Sequence, residues 1–125
     1  MLTSKAPSLL AVLLLLALAS CREPTALSNE YSSLAGTWRA GSNCFALDRS
    51  GTTSYALEGD TSSQYLRGGQ LYSIGDGYIE VGLPRAVWPD RVEVTTTPYL
   101  SSSGLAIRVA GVEAYRVTDS GPCGI

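Results

Sequence analysis

From Leu34 to Thr118 apolar and polar residues alternate over short runs, and glycine-rich turns break the runs before any helical spacing develops. A period of two places successive side chains on opposite faces of a strand, so the pattern commits the chain to β-structure. Eight candidate strands follow: Leu34–Ala40, Cys44–Asp48, Thr52–Glu58, Gly69–Ile74, Tyr78–Leu83, Arg91–Thr97, Leu105–Ala110 and Val112–Thr118. Turns are expected at Asp48-Arg49-Ser50-Gly51, Gly75-Asp76-Gly77 and Ser101-Ser102-Ser103-Gly104, where glycine supplies the positive φ of a tight hairpin. Phe45 and Leu47, Tyr55 and Leu57, Ile79, Val81 and Leu83, Val92 and Val94, and Leu105, Ile107 and Val109 are expected on one apolar face. The expectation is an all-β fold: a single small antiparallel up-and-down barrel or sandwich of about eight strands. Strands of this length fall short of the roughly 9–11 residues that a membrane-spanning barrel strand needs.

The chain begins differently. Met1–Ala6 carries one cation, Lys5, and no acid; Leu9–Leu18 is apolar throughout; and Leu18-Ala19-Ser20 places small residues before Cys21. Ten apolar residues are too few to cross a hydrocarbon core, which takes roughly 20 in a helix, and the run lacks the polar positions of a core helix. This stretch resembles the signal and lipobox of bacterial lipoproteins. The resemblance implies cleavage before Cys21 and attachment of lipid to its sulfur, with anchoring made stable by two or more acyl chains. It divides the chain into a signal peptide (1–20), a lipidated cysteine with a flexible tether (21–33) and a barrel domain (34–125). The expected location is the cell envelope. Arg22 stands where the inner-membrane retention signal of Gram-negative lipoproteins places aspartate, which favours the outer membrane, facing the periplasm, in such a host.

Removing residues 1–20 from the 125 leaves a mature chain of one small domain, with eight arginines against eleven acids. The charges are dispersed, with no basic stripe, so nucleic acid is not an expected partner. With Cys21 assigned to lipid, Cys44 and Cys123 form an even pair in an oxidising compartment and are expected to be bridged. In a meander barrel the first and last strands are neighbours, so that bridge would pin the closure.

The chain contains no histidine, which excludes Ser-His-Asp catalysis and every His-containing metal site. No phosphate-cradling loop, nucleophile elbow or metal-spaced cysteine pair occurs, so neither a cofactor nor a metal is expected. Asp48, Glu58, Asp60, Asp76, Glu80, Glu93 and Glu113 could in principle pair for acid–base chemistry, but all lie in turns or on the polar strand face. No catalytic residue is assigned.

Leu34-Ala35-Gly36-Thr37-Trp38-Arg39 resembles the Gly-X-Trp segment in the first strand of lipocalin-like barrels. The resemblance implies that Gly36 permits close backbone approach and Trp38 plugs the barrel floor. Ala35-Gly36-Thr37-Trp38 followed by Cys44-Phe45-Ala46-Leu47 is also similar to the start of small periplasmic inhibitors of bacterial metalloproteases, eight-stranded barrels with one disulfide. Trp88, in the longest loop, is a candidate contact residue, or else a cap on the open end of the core. The functional expectation is a non-catalytic binding or interaction role, for a small apolar ligand or for an envelope protein. A cavity lined by Ile79, Val81 and Ile107 would favour the former, a filled core with an aromatic loop patch the latter.

Overall fold

The computed structural model describes residues 23–58, 63–85, 87–118 and Cys123. The alternating runs become nine antiparallel strands: β1 (Gly36–Ala40), β2 (Asn43–Leu47), β3 (Thr52–Glu58), β4 (Ser63–Gly75), β5 (Tyr78–Gly82), β6 (Asp90–Glu93), β7 (Tyr99–Ser101), β8 (Gly104–Val109) and β9 (Val112–Val117). They form one sheet in the order β6-β5-β4-β3-β2-β1-β9-β8-β7. The sheet curls on itself, as the small-barrel expectation requires. Among the described residues no helix is long and apolar enough to cross a membrane.

Curvature originates in β4. Its first part pairs with β3 and its second with β5, and register shifts interrupt both ladders, at Thr53/Tyr55 and at Leu71/Ser73. Such bulges bend a strand and increase its twist. The two strands at the ends of the order, β6 and β7, are consecutive in sequence. Just past β6 the curl meets β8: the Thr95 N–H donates to the Arg108 carbonyl (2.8 Å), the Ala110 N–H donates to the Glu93 carbonyl (2.8 Å), and Val94 bridges Val109. Eight strands thereby run round the curl, and β7 lies beside the other half of β8.

The inward faces merge into one cluster. Phe45, Leu47, Tyr55, Leu57, Ile79, Val81, Val92, Val94, Ile107 and Val109 are buried in it, as the alternation anticipates, together with Trp38 and Leu71, while Leu105 is only partly buried against it. Each such side chain contributes about 1.5–3 kcal/mol through removal from water.

Several expectations need correction. There are nine strands, not eight, because the three-residue β7 is too short to show a period. β4 starts at Ser63, six residues before the expected Gly69, since its early part overhangs the core and only Leu66 turns inward. Leu83 is exposed, because the chain leaves the ladder after Gly82. The expected strand Arg91–Thr97 ends at Glu93, with Val94 as an isolated bridge. The first strand begins at Gly36; Asn29–Leu34 is a 3-10 helix whose last residue, Leu34, enters the core.

The segment expected to be a flexible tether is attached from Thr25 onward. The Thr25 N–H donates to the Leu71 carbonyl (2.7 Å), and the Leu27 N–H donates to the Arg49 carbonyl (3.0 Å). Gly51 makes this fit possible: its φ is +95°, and a Cβ there would stand 2.2 Å from the Thr25 carbonyl oxygen. Residues 1–22, including Cys21 and its signal, lie outside the described residues.

Cys44 and Cys123 are bridged, with their Cα atoms 5.6 Å apart. The first and last strands, β1 and β9, are neighbours, as expected of a meander barrel, and the bridge lies beside that pair, joining Cys123 to Cys44, which pairs with Arg39 of β1.

Candidate functional site

The longest connection between strands, from β5 to β6, carries the most exposed aromatic side chain. Val81 and Asp90 form the last pair at the base of this hairpin. Beyond it Pro84 and Pro89 lack the N–H that a ladder needs, so the strands cannot continue. The Tyr72 hydroxyl donates to the Leu83 carbonyl (2.7 Å), which ties the loop base to β4. Arg85 takes a left-handed φ of +65°. With its backbone held, the loop turns its apolar side chains to solvent: Leu83 is 61% exposed, Val87 43% and Trp88 87%. Trp88 does not cap the core. It is presented, and with Leu83 and Val87 it makes an exposed apolar patch of the kind that marks a contact surface.

At the other tryptophan the geometry is structural. Trp38 is fully buried, its indole N–H donates to the Leu34 carbonyl (3.0 Å), and the Arg116 guanidinium sits 5.2 Å over its ring. Arg116 also donates to the Ala35 carbonyl. Gly36 has φ +145°, and a Cβ there would meet the Arg116 side chain at 3.0 Å. Gly36 therefore makes room for an arginine side chain, not for a neighbouring strand's backbone.

Among the described residues the interior side chains pack into one cluster. Ile79, Val81 and Ile107, the expected lining of a ligand cavity, are packed in the common cluster. The space bordered by Trp38, Phe45, Leu57, Val109 and Ala114 amounts to about 10 Å³, room for about one water molecule.

The candidate carboxylates are dispersed. Asp48 is a turn residue, accepting the Ser50 and Thr52 N–H groups at 2.9 and 3.2 Å. Glu80 faces Arg91 across the β5–β6 ladder. Asp60 lies outside the described residues. Asp76 and Glu93 do line the same groove, an open depression of about 470 Å³ shared with Thr95, Thr97 and Arg108. Asp76 accepts the Tyr31 hydroxyl (3.2 Å). No group of three His, Cys, Asp or Glu converges as a metal site among the described residues.

One cluster escaped the sequence reading. Glu113 accepts two phenolic hydroxyls, from Tyr99 on β7 (2.6 Å) and from Tyr115 two residues along β9 (2.5 Å). These bonds, Tyr115's first, hold the Glu113 carboxyl below its ordinary range, and Arg108 adds to the effect. The same bonds push both phenols up. The cluster fastens the short β7 to the rest of the sheet. The period-two pattern places Glu113 and Tyr115 on one face, but nothing local brings Tyr99 to them.

Compared with known protein families, curated proteins and solved structures, the chain finds no match.

Proposed function

We propose that this protein is a lipid-anchored module of the bacterial cell envelope that acts by surface contact, without catalysis, through the loop between β5 and β6. The observation that carries the reading is Trp88: a large amphipathic side chain, 87% exposed, on a loop tied at its base by Tyr72. Burying such a residue stabilises a complex strongly, and tryptophan is enriched among residues that dominate binding energy. The filled interior supports a surface role over carriage of a small apolar ligand inside the barrel. The engagement of Asp48 in a turn, of Asp76 by the Tyr31 hydroxyl and of Glu113 by two phenols favours a non-catalytic reading. The anchor rests on Leu18-Ala19-Ser20-Cys21.

Two experiments test the two halves. Cys21→Ser should abolish incorporation of labelled fatty acid and move the protein out of the detergent phase; unchanged partitioning would remove the anchor. A photo-crosslinking residue at position 88 in intact envelopes should give adducts that the same residue at position 103, in the β7–β8 turn, does not. Equal or absent labelling at both positions would remove the contact role.

A further inference from the structure

We propose that the apolar loop between β5 and β6 docks on the bilayer that holds the lipid anchor, with Trp88 at the membrane interface. The proposal rests on the anchored, surface-contact reading above and names the partner of that same loop.

The geometry that points to it is the shortness of the N-terminal connection and the place where it joins the sheet. Thr25 is not free: its N–H bonds the Leu71 carbonyl at 2.7 Å. Thr25 is four positions after Cys21, and four steps of chain span at most about 14 Å. A lipid on Cys21 thus holds the Leu71 region of β4 close to the membrane surface. Leu71 pairs with Val81 across a distance of about 5 Å. Val81 in turn pairs with Asp90 at the base of the hairpin. Leu83 lies two residues beyond Val81, and Trp88 two residues before Asp90, so each stands within about 7 Å of chain from that pair. The exposed apolar patch therefore begins beside the point where the anchored segment joins the domain.

The side chains suit an interface. Tryptophan concentrates at the level of lipid head groups, where its ring is half in apolar surroundings and its N–H stays wet. Leu83 and Val87 add apolar surface, and the exposed Arg85 can lay its stem along the interface with its guanidinium among phosphates. An anchor alone leaves the domain free to rotate about four residues of chain. A second contact at Trp88 fixes its orientation and leaves the groove lined by Asp76, Glu93 and Arg108 facing in one direction relative to the membrane.

The test uses the full lipidated protein in phosphatidylcholine vesicles, and in vesicles of the same lipid brominated in the upper acyl chain. Bromine quenches tryptophan on contact. Flotation with the vesicles reports the anchor, and emission reports the loop. The expected result is flotation in both lipids, loss of most Trp88 emission in the brominated vesicles, and no such loss for Trp88→Phe, whose remaining Trp38 is buried. Flotation with unquenched Trp88 would overturn the membrane contact while leaving the anchor intact, and would return the loop to a protein partner. Failure to float, with Cys21 unmodified by mass, would overturn both.

Discussion

Replacing Trp38 by alanine should come close to unfolding the domain. Its indole is wholly buried, bonded to the Leu34 carbonyl and lying under the Arg116 guanidinium. A tryptophan buries on the order of 200 Å², and at about 25 cal/mol per Å² this approaches 5 kcal/mol before alanine's own share is deducted. Core truncations of large aromatics cost about 3–5 kcal/mol, against a total stability of about 5–15 kcal/mol for a domain. Each kcal/mol lowers the midpoint of a domain this size by about 4–8 °C, so a fall of more than about 12 °C is expected. Trp38→Phe separates the contributions. It keeps most of the apolar area but leaves the Leu34 carbonyl without its donor, at a cost of about 1–3 kcal/mol. The assay is thermal unfolding by circular dichroism without reductant, paired with acrylamide quenching of Trp88→Phe, in which Trp38 should emit to the blue and resist the quencher. If Trp38→Ala shifted the midpoint by less than about 4 °C, or if Trp38 were freely quenched, the account of the barrel floor would be refuted.

Other outcomes follow from the same structure. Trp88→Ala should change stability by under about 1 kcal/mol, because the side chain is exposed; a larger loss in chemical denaturation would show that it packs. Reducing the Cys44–Cys123 bridge, which spans 79 residues, removes about 4–5 kcal/mol in the chain-entropy model, so the thermal midpoint should fall by more than about 10 °C on reduction. Gly51→Ala forces a side chain toward the Thr25 carbonyl at positive φ, at about 1–3 kcal/mol; faster hydrogen exchange at Thr25 and Leu27 should report their release, and unchanged protection would disprove the fit. Glu113, with its carboxyl depressed, contributes stability above the ordinary carboxylate range that is lost as pH falls through its folded value. Tyr99 and Tyr115, raised above 10.0, contribute stability below that pH which is lost as pH rises through their folded values. Glu113→Gln should lower the midpoint of tyrosine absorbance titration, and an unmoved titration would disconnect the three groups.

Alternation carried the strands whose inner and outer faces differ. Phe45, Leu47, Ile79, Val81 and Ile107 are buried where the period of two puts them. It failed where burial is not two-sided. The early part of β4 presents Ser63, Gln64, Tyr65 and Arg67 to solvent, leaving Leu66 as a lone apolar signal. β7 owes its place to pairing with β8 and to the Tyr99 hydroxyl, which donates to Glu113, and neither leaves a local trace. The polar segment before Leu34 read as a tether because its bonds to Leu71 and Arg49 use backbone groups, which any side chain could accompany. The disulfide followed from counting cysteines, and its place beside the first and last strands followed from the meander order. At the candidate site, composition marked Trp88 but could not decide between cap and contact. That depended on where the ladder stops, and two prolines stop it.

The position of β1 between β2 and β9 has a consequence for the order of folding. A chain is synthesised from its N-terminus, so Trp38 emerges early, before its partner Arg116 on β9 has been made. Until the last strand arrives, β1 keeps one unpaired edge and the barrel floor cannot seal. Every earlier hairpin can form locally as it emerges, yet none supplies that missing neighbour. Folding must then wait for the end of the chain, a long-range contact that slows the final step. During that interval a short, aggregation-prone edge stands open beside an uncovered tryptophan, and the waiting chain depends on rapid completion.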